Sequence, residues 1–268
     1  MEWYRRSVIT GMIAYGMVSL AYAAEPLPPG ALAISKEANT AIQQMGKTLA
    51  NDVSFKARTI RVYQDSSGDF LHIGHTINVI ARRPDRLAIN VTGDDGASKL
   101  LYDGKEVSAI DETDKKYIQV AMSGDLDKVM DEVSERLHTD FPLADFLTSD
   151  PAKSFLTGVI SGKEVGTVTI DDTPCRHLFF TQSGGTELEL WVENNDRALP
   201  RRLVVTYRAL PGQPNFIAEL SDWNIGVKAA DATFQFQPPP GATRVDPASL
   251  EGSGGIAGGA TTLGGRKQ

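Results

Sequence analysis

The 268-residue chain is acidic, because 34 aspartates and glutamates outnumber 27 lysines and arginines and give a formal net charge of −7. A nucleic-acid-binding protein needs a positive field to displace counterions from phosphates, and this chain has the opposite sign. Cys175 is the only cysteine, so no internal disulfide can form and the fold must be stabilised by burial. We therefore expect no nucleic-acid partner.

The N-terminus has the three-part layout of a secretory signal. A basic start at residues 5–6 precedes an apolar stretch over 8–20, and Ala-Tyr-Ala follows at 21–23. An uncleaved membrane anchor is the alternative, but polar residues and glycines interrupt the stretch, which is shorter than the roughly 20 residues of a spanning helix. We predict a signal peptide over residues 1–23, cleaved after Ala23.

The mature chain is predicted to be a soluble periplasmic protein. No cysteine stands directly after the cleavage site, so N-terminal lipidation is not expected, and no later segment is apolar enough to span a bilayer. We expect a spacer at 24–30, a single domain at 31–246 and a disordered tail at 247–268. Residues 252–265 contain seven glycines and almost nothing to bury, which is typical of a flexible segment.

Two segments have helical periodicity. The first, from about Ala31 to Asn51, places Ala38, Ile42, Met45 and Leu49 on one face. The second is an insertion over about 124–158. Its apolar stripe is Leu126, Val129, Met130, Val133 and Leu137. Asp150 and Pro151 then form a cap and first residue for a short helix that Gly158 ends.

The rest of the domain alternates with a period of two, which predicts β-strands. Long strands are predicted at 53–63, 70–82 and 86–92, shorter strands follow, and about five more lie within 163–236. One face of each strand is apolar and the other polar, as in an antiparallel sheet with one solvated side. No βαβ alternation appears. We predict an α+β fold: a half-open antiparallel β-barrel, formed by a strongly curled sheet, with an N-terminal helix and a helical lid.

The polar residues give little indication of chemistry. Cys175 and His177 lie two apart on a strand and so share a face, but any Cys-x-His on a strand does this. The histidines do not assemble a zinc site, and the acidic clusters, such as Asp94–Asp95, are interpreted as solvated turns. Arg82, Arg83 and Arg86 are interpreted as solvated strand ends. We expect no catalytic activity, no metal and no cofactor.

Several runs together resemble a bacterial family of predicted periplasmic proteins of unknown function. The resemblance covers nearly all of 31–245. Its runs are RRPDRLAINV (82–91), LLYDGKEVSAID (100–111), FPLADFL (141–147), DDTPCRHLFF (171–180), ELWVENNDRALPRRLVVTY (189–207) and LSDWNIGVKAADATFQFQPPPGA (220–242). That family is similar to the envelope lipoprotein carriers and lipoprotein-sensing regulators. The resemblance implies a lipoprotein-carrier-like half-open barrel with an apolar cavity closed by helices, and it assigns no residue a role.

Strands with one apolar face, covered by amphipathic helices, favour a non-catalytic binding protein for a lipid or acyl chain, acting as a carrier or sensor. The candidate cavity residues are Leu71, Ile73, Ile77, Val79, Leu87, Ile89, Val91 and Phe179. The alternative is an envelope protein–protein interaction or scaffold module, in which the same face is a packed core without a ligand. The predicted inner face contains leucine, isoleucine and valine with few large aromatic residues, and such a face either leaves a cavity or packs tightly.

Overall fold

The computed structural model describes residues 33–65, 67–137 and 141–247, without the side chain of Leu137. The predicted signal peptide and spacer, and the tail beyond Pro247, lie outside the described residues. Within them, no helix has the length and apolar character needed to cross a membrane.

A single open sheet of twelve strands dominates the described residues. Its order is β12-β6-β5-β4-β3-β2-β1-β11-β10-β9-β8-β7. The strands are β1 Val53–Gln64, β2 Phe70–Arg82, β3 Arg86–Gly93, β4 Gly96–Tyr102, β5 Glu106–Asp111, β6 Lys116–Ala121, β7 Val159–Ile170, β8 Thr173–Gln182, β9 Thr186–Glu193, β10 Pro200–Tyr207, β11 Asn215–Ile225 and β12 Thr243–Arg244. Two antiparallel meanders, β1–β6 and β7–β11, join where β11 pairs with β1. Among the twelve strands, β12 pairs in parallel and the others pair antiparallel, and the sheet does not close because β7 and β12 are its edges.

The period-two pattern produces one continuous apolar face, here called the core face. In-register pairing aligns one row of side chains across six strands. That row is Phe55, Val79, Ile89, Leu100, Ala109 and Ile118. All six are buried in the same hydrophobic cluster as the apolar stripes of the helices. Removing this face from water is the main stabilising contribution of the fold.

Within the described ranges, three helices contribute to the core. They are α1 Lys36–Leu49, α2 Leu126–Leu137 and α3 Pro151–Leu156, and single 3-10 turns cover Ala144–Phe146 and Asp231–Phe234. The predicted stripe of α1 is confirmed, because its four residues are fully buried. The helix begins later than predicted, because Ile34 bridges to Gly162 of β7 and the Ser35 hydroxyl caps the helix by accepting from the Ala38 amide at 3.1 Å.

Helix α3 begins as predicted and packs closely on α1. The Asp150 carboxylate accepts from the Lys153 amide at 3.0 Å, and Pro151 is the first helical residue. A glycine permits the approach of the two helices, since a Cβ at Gly46 would lie 2.6 Å from the Ala152 Cβ.

The C-terminal segment after β11 returns across the opposite face of the sheet, here called the outer face. Arg82 donates to the Ala229 carbonyl at 2.9 Å and lies over the Phe234 ring at 5.0 Å. β12 then pairs with β6, near the sheet edge. This segment explains why Ile110 is buried although its neighbour Ala109 occupies the core face. The predicted order of helix, strands, helices and strands is therefore confirmed for a mostly β protein with an open sheet.

Candidate ligand-binding site

A cavity of about 300 Å³ lies between the core face of β8–β10 and the residues that connect β6 to β7. Its floor comes from the sheet, and its roof comes from the 3-10 turn and α3. The lining residues are Phe141, Pro142, Ala144, Asp145, Phe146, Phe155, Gln182, Thr186, Leu188, Leu203, Val205 and Tyr207. This volume is at the lower end of the roughly 300–1,000 Å³ that small-molecule sites occupy.

Cross-strand pairing builds the apolar floor. Val205 of β10 lies opposite Leu188 of β9, and Leu203 lies opposite Leu190. Because alternate residues share a face, Leu188, Leu203 and Val205 all point away from the outer face of the sheet. The next pair along, Tyr207 and Thr186, adds polar groups at one end of the same floor.

Arg83 fixes the roof to the rest of the fold. Its guanidinium donates to the Phe146 carbonyl at 3.2 Å, to the Thr148 carbonyl at 3.0 and 3.2 Å, and to the Asn51 carbonyl. Its backbone amide donates to Asp52 at 2.8 Å. The interpretation of Arg83 as a solvated strand end is therefore wrong. The strand-end position is correct, but three backbone carbonyls from two other segments converge there.

Asp145 is the one lining residue in the described chain with an acidic carboxyl or a basic side chain. It lies in the 3-10 turn of the roof, between Ala144 and Phe146, and is half-buried. Burial raises the pKa of its carboxyl above the ordinary value. Sequence reasoning missed Asp145, because an acidic residue in an irregular connection carries no periodic signal.

The eight predicted cavity residues lie elsewhere. Five of them are buried in the packed core cluster on the other half of the sheet: Ile77, Val79, Leu87, Ile89 and Val91. On β2, Ile73 is half-buried and Leu71 is 40 % exposed. Phe179 lies on the outer face, opposite in direction to Leu178 and Phe180, with the Lys163 ammonium 5.8 Å from its ring. None of the eight lines the cavity described above, and their contact with a ligand stays a prediction.

A second polar feature lies on the core face at β2. His75 is 7 % exposed, and its Nε2 lies 2.6 Å from an oxygen of Asp95, while Asp94 accepts from the Gly74 amide at 2.7 Å. Asp94 and Asp95 are exposed and lie in a turn, as predicted, and their carboxylates also have partners on the neighbouring strand. Both carboxylates bind groups on β2, because the β3–β4 turn folds back over that strand.

Cys175 and His177 share a face, as predicted, and the structure shows that it is the outer face, but each has its own partners. The Cys175 thiol is fully buried and donates to the Thr173 carbonyl at 3.4 Å, and burial raises its pKa, which disfavours the nucleophilic thiolate. The His177 ring stacks on Trp191 with centroids 4.1 Å apart, and its Nε2 lies 2.8 Å from Glu189. In the part of the chain that the structure describes, no three His, Cys, Asp or Glu side chains are placed to hold a metal ion.

These features define a class of protein: an open antiparallel sheet, helices packed on its core face, and a cavity between that face and the segment joining the two meanders. The chain belongs to the family described as predicted periplasmic protein (DUF2092), whose model matches residues 38–247. The resemblance seen in the sequence is thereby confirmed. No curated protein matches the chain.

Similar solved structures include a protein of the LolA superfamily. An uncharacterized conserved protein from Thermus thermophilus shares 10 % identity with a TM-score of 0.47, covering 78 % of this chain and 99 % of its own. LprF from Mycobacterium bovis shares 15 % identity at 0.43, with 78 % and 99 % covered. A LolA superfamily protein from Nitrosomonas europaea shares 12 % at 0.40, with 74 % and 97 % covered. All three scores are below 0.5, and no functional conclusion follows from them.

Proposed function

We propose that this protein is a non-catalytic periplasmic binding protein for a lipophilic ligand, acting as a carrier or sensor of a lipid or acyl chain. The observation that carries the proposal is the cavity of about 300 Å³ between the apolar floor of β8–β10 and the roof over 141–156. The family description, predicted periplasmic protein, supports the compartment.

The energetics suit an alkyl chain. Burying one methylene group contributes about 0.8 kcal/mol, so a chain of about a dozen carbons contributes roughly 10 kcal/mol before the cost of association. The floor side chains Leu188, Leu203 and Val205 and the aromatic rings of Phe146 and Phe155 supply apolar contacts for such a chain. Affinity then depends mainly on burial, without any reaction at the site.

In this proposal the sheet curls around the ligand, and residues 141–156 form the lid. Arg83 holds that segment through the carbonyls of Phe146 and Thr148, and the contact between Gly46 and Ala152 holds α3 against α1. A ligand enters and leaves when this segment moves away from the floor. The eight residues predicted from the sequence are then a second region, which a long ligand reaches only if α2 also moves.

A second candidate function is an envelope protein–protein interaction or scaffold module. Two observations favour it: five of the eight predicted residues are already packed in the core, and large apolar side chains lie on the surface. Phe70 is 56 % exposed and Val165 is 54 % exposed. A stable protein partner in a pull-down from envelope extract, lost when residues 247–268 are deleted, is the result expected for this alternative.

The primary proposal is tested by filling the cavity. Ala144 is a small, half-buried lining residue, and an indole at this position occupies the space that a ligand needs. We expect Ala144→Trp to weaken binding of the neutral fluorescent probe N-phenyl-1-naphthylamine about tenfold or more, because the added ring overpacks the site. Ala121→Trp, at an exposed position of β6, is the matched control and is expected to bind like the wild type. Equal binding by all three proteins would remove the proposal.

A further inference from the structure

The charge of the cavity wall indicates which head group the ligand carries. This inference rests on the proposed function, because it concerns the same cavity. We propose that Asp145 makes the site selective for lipophilic ligands with an ammonium head group over ligands of the same chain length with a carboxylate.

The first argument is the composition of the lining. Of the twelve described lining residues, eight are apolar and three are neutral polar residues, Gln182, Thr186 and Tyr207. Asp145 is the remaining one. No lysine, arginine or histidine lines the cavity among the described residues, so no basic group is placed there to bind a fatty-acid carboxylate or a phosphate. The formal charge of the chain, −7, adds to the unfavourable field for an anion.

The second argument is that the Asp145 carboxylate has no cationic partner in the described chain. The ion pairs of the described residues involve other acidic side chains. The Thr148 hydroxyl donates to the backbone carbonyl of Asp145 at 3.3 Å, and not to its carboxylate. Burial is the cause that raises the pKa of this carboxyl. A partly desolvated carboxylate is costly to the folded protein when it is unpaired, and a ligand cation offsets that cost.

The third argument concerns the neighbouring polar groups, which suit a hydrogen-bond donor. Gln182 donates one amide hydrogen to the Thr157 carbonyl at 3.3 Å, and its side-chain oxygen is an acceptor for a ligand donor. The Thr186 hydroxyl also accepts hydrogen bonds. An alkylammonium group has three N–H donors, and a carboxylate has none. The lining therefore offers acceptors to an ammonium group and repels a carboxylate at Asp145.

The experiment compares three ligands with the same chain: dodecylammonium, dodecanol and dodecanoate. Each displaces N-phenyl-1-naphthylamine from the full mature chain at neutral pH, below its critical micelle concentration. Wild type is expected to bind dodecylammonium about tenfold or more tightly than dodecanoate, the size expected of one charge-assisted hydrogen bond. Asp145→Asn is expected to reduce that ratio to about threefold or less, and Asp145→Glu to retain it, by the same reasoning.

Asp131→Asn is the matched control, because it removes one negative charge at an exposed position of α2. It is expected to leave the preference unchanged, and a loss of preference equal to that of Asp145→Asn would show that the overall charge, and not Asp145, is responsible. Tight binding of dodecanol with equal affinities for the two charged ligands overturns the head-group inference alone. Failure of all three ligands and the probe to bind overturns the proposed function as well.

Discussion

Replacing Arg83 tests how the roof of the cavity is held. The guanidinium makes four hydrogen bonds to carbonyls of Asn51, Phe146 and Thr148, which belong to two segments far apart in the chain. Burial lowers the pKa of Arg83, whereas Asp52 and Asp127 act in the opposite direction, and the group stays charged at neutral pH. Arg83→Met retains much of the aliphatic stem and leaves these acceptors without their donor.

The expected destabilisation follows from those bonds. A hydrogen bond to a charged group contributes about 1.5–3 kcal/mol, but Arg83 is half-buried and water replaces part of the loss, so we expect about 3 kcal/mol for the whole group. With a urea m-value of about 2 kcal/mol/M, the unfolding midpoint falls by about 1.5 M. Arg58→Met, at an exposed position of β1, is the matched control and is expected to change the unfolding free energy by less than about 0.5 kcal/mol.

Urea unfolding, followed by circular dichroism and by tryptophan fluorescence, measures both variants. The release rate of N-phenyl-1-naphthylamine provides a second readout, and it is expected to rise in Arg83→Met because the roof is no longer anchored. An unfolding midpoint of Arg83→Met equal to that of Arg58→Met would refute the reasoning that these bonds join the roof to the fold.

Three further predictions follow from the described contacts. Gly46→Ala should lower the unfolding free energy by about 1–3 kcal/mol, because its Cβ would lie 2.6 Å from the Ala152 Cβ and 2.8 Å from the Ala152 backbone nitrogen. The control is Gly166→Ala, whose Cβ meets nothing within 4 Å and which should be nearly neutral. Equal urea midpoints for the two variants would contradict this prediction. Asp145→Asn should raise the unfolding free energy at neutral pH. Because the pKa of Asp145 is raised in the folded protein, the wild type loses stability as the pH rises from the unfolded-state pKa through the folded-state pKa. A stabilisation by Asp145→Asn that is equal at pH 3 and pH 7 would contradict this prediction. Cys175→Ala should cost about 1 kcal/mol or more of stability in thermal unfolding, because the thiol is fully buried, and should leave probe affinity unchanged; weaker binding with unchanged stability would link Cys175 to the ligand site.

Local periodicity predicts much of the fold. The bounds of β2 agree with the predicted 70–82, and the buried stripe of α1 follows from the spacing of Ala38, Ile42, Met45 and Leu49. Asp150 and Pro151 mark the start of α3 because capping depends on adjacent residues. Each of these features is set by residues close together in the chain, so the sequence pattern contains the necessary information.

Features that depend on distant residues do not follow from local patterns. The pairing of β11 with β1 joins the two meanders, and the segment after β11 returns over the outer face near Phe234. Strand alternation identifies the apolar face of a strand but not its neighbour in the sheet. For the same reason the sequence favours a solvated Arg83 at the end of a predicted strand, although its partners lie at Asn51 and Thr148.

The location of the cavity also lies beyond sequence reasoning. The apolar faces of β2 and β3 and those of β9 and β10 have the same pattern, and all four strands contribute to one core cluster. Leu188 and Val205 also line the cavity, whereas Ile77 and Leu87 do not. The difference is the volume left after α2, α3 and the 3-10 turn have packed, which depends on side chains from several elements at once. Asp145 becomes notable only when that space is known.

Native mass spectrometry of the mature protein, purified from its own envelope, tests most directly whether the cavity holds a ligand. The account predicts a protein mass with a bound lipophilic molecule that organic extraction removes, and a much smaller bound fraction for Ala144→Trp than for Ala121→Trp. An unliganded mass for the wild type, together with no uptake of N-phenyl-1-naphthylamine or dodecanol by the extracted protein, would contradict it.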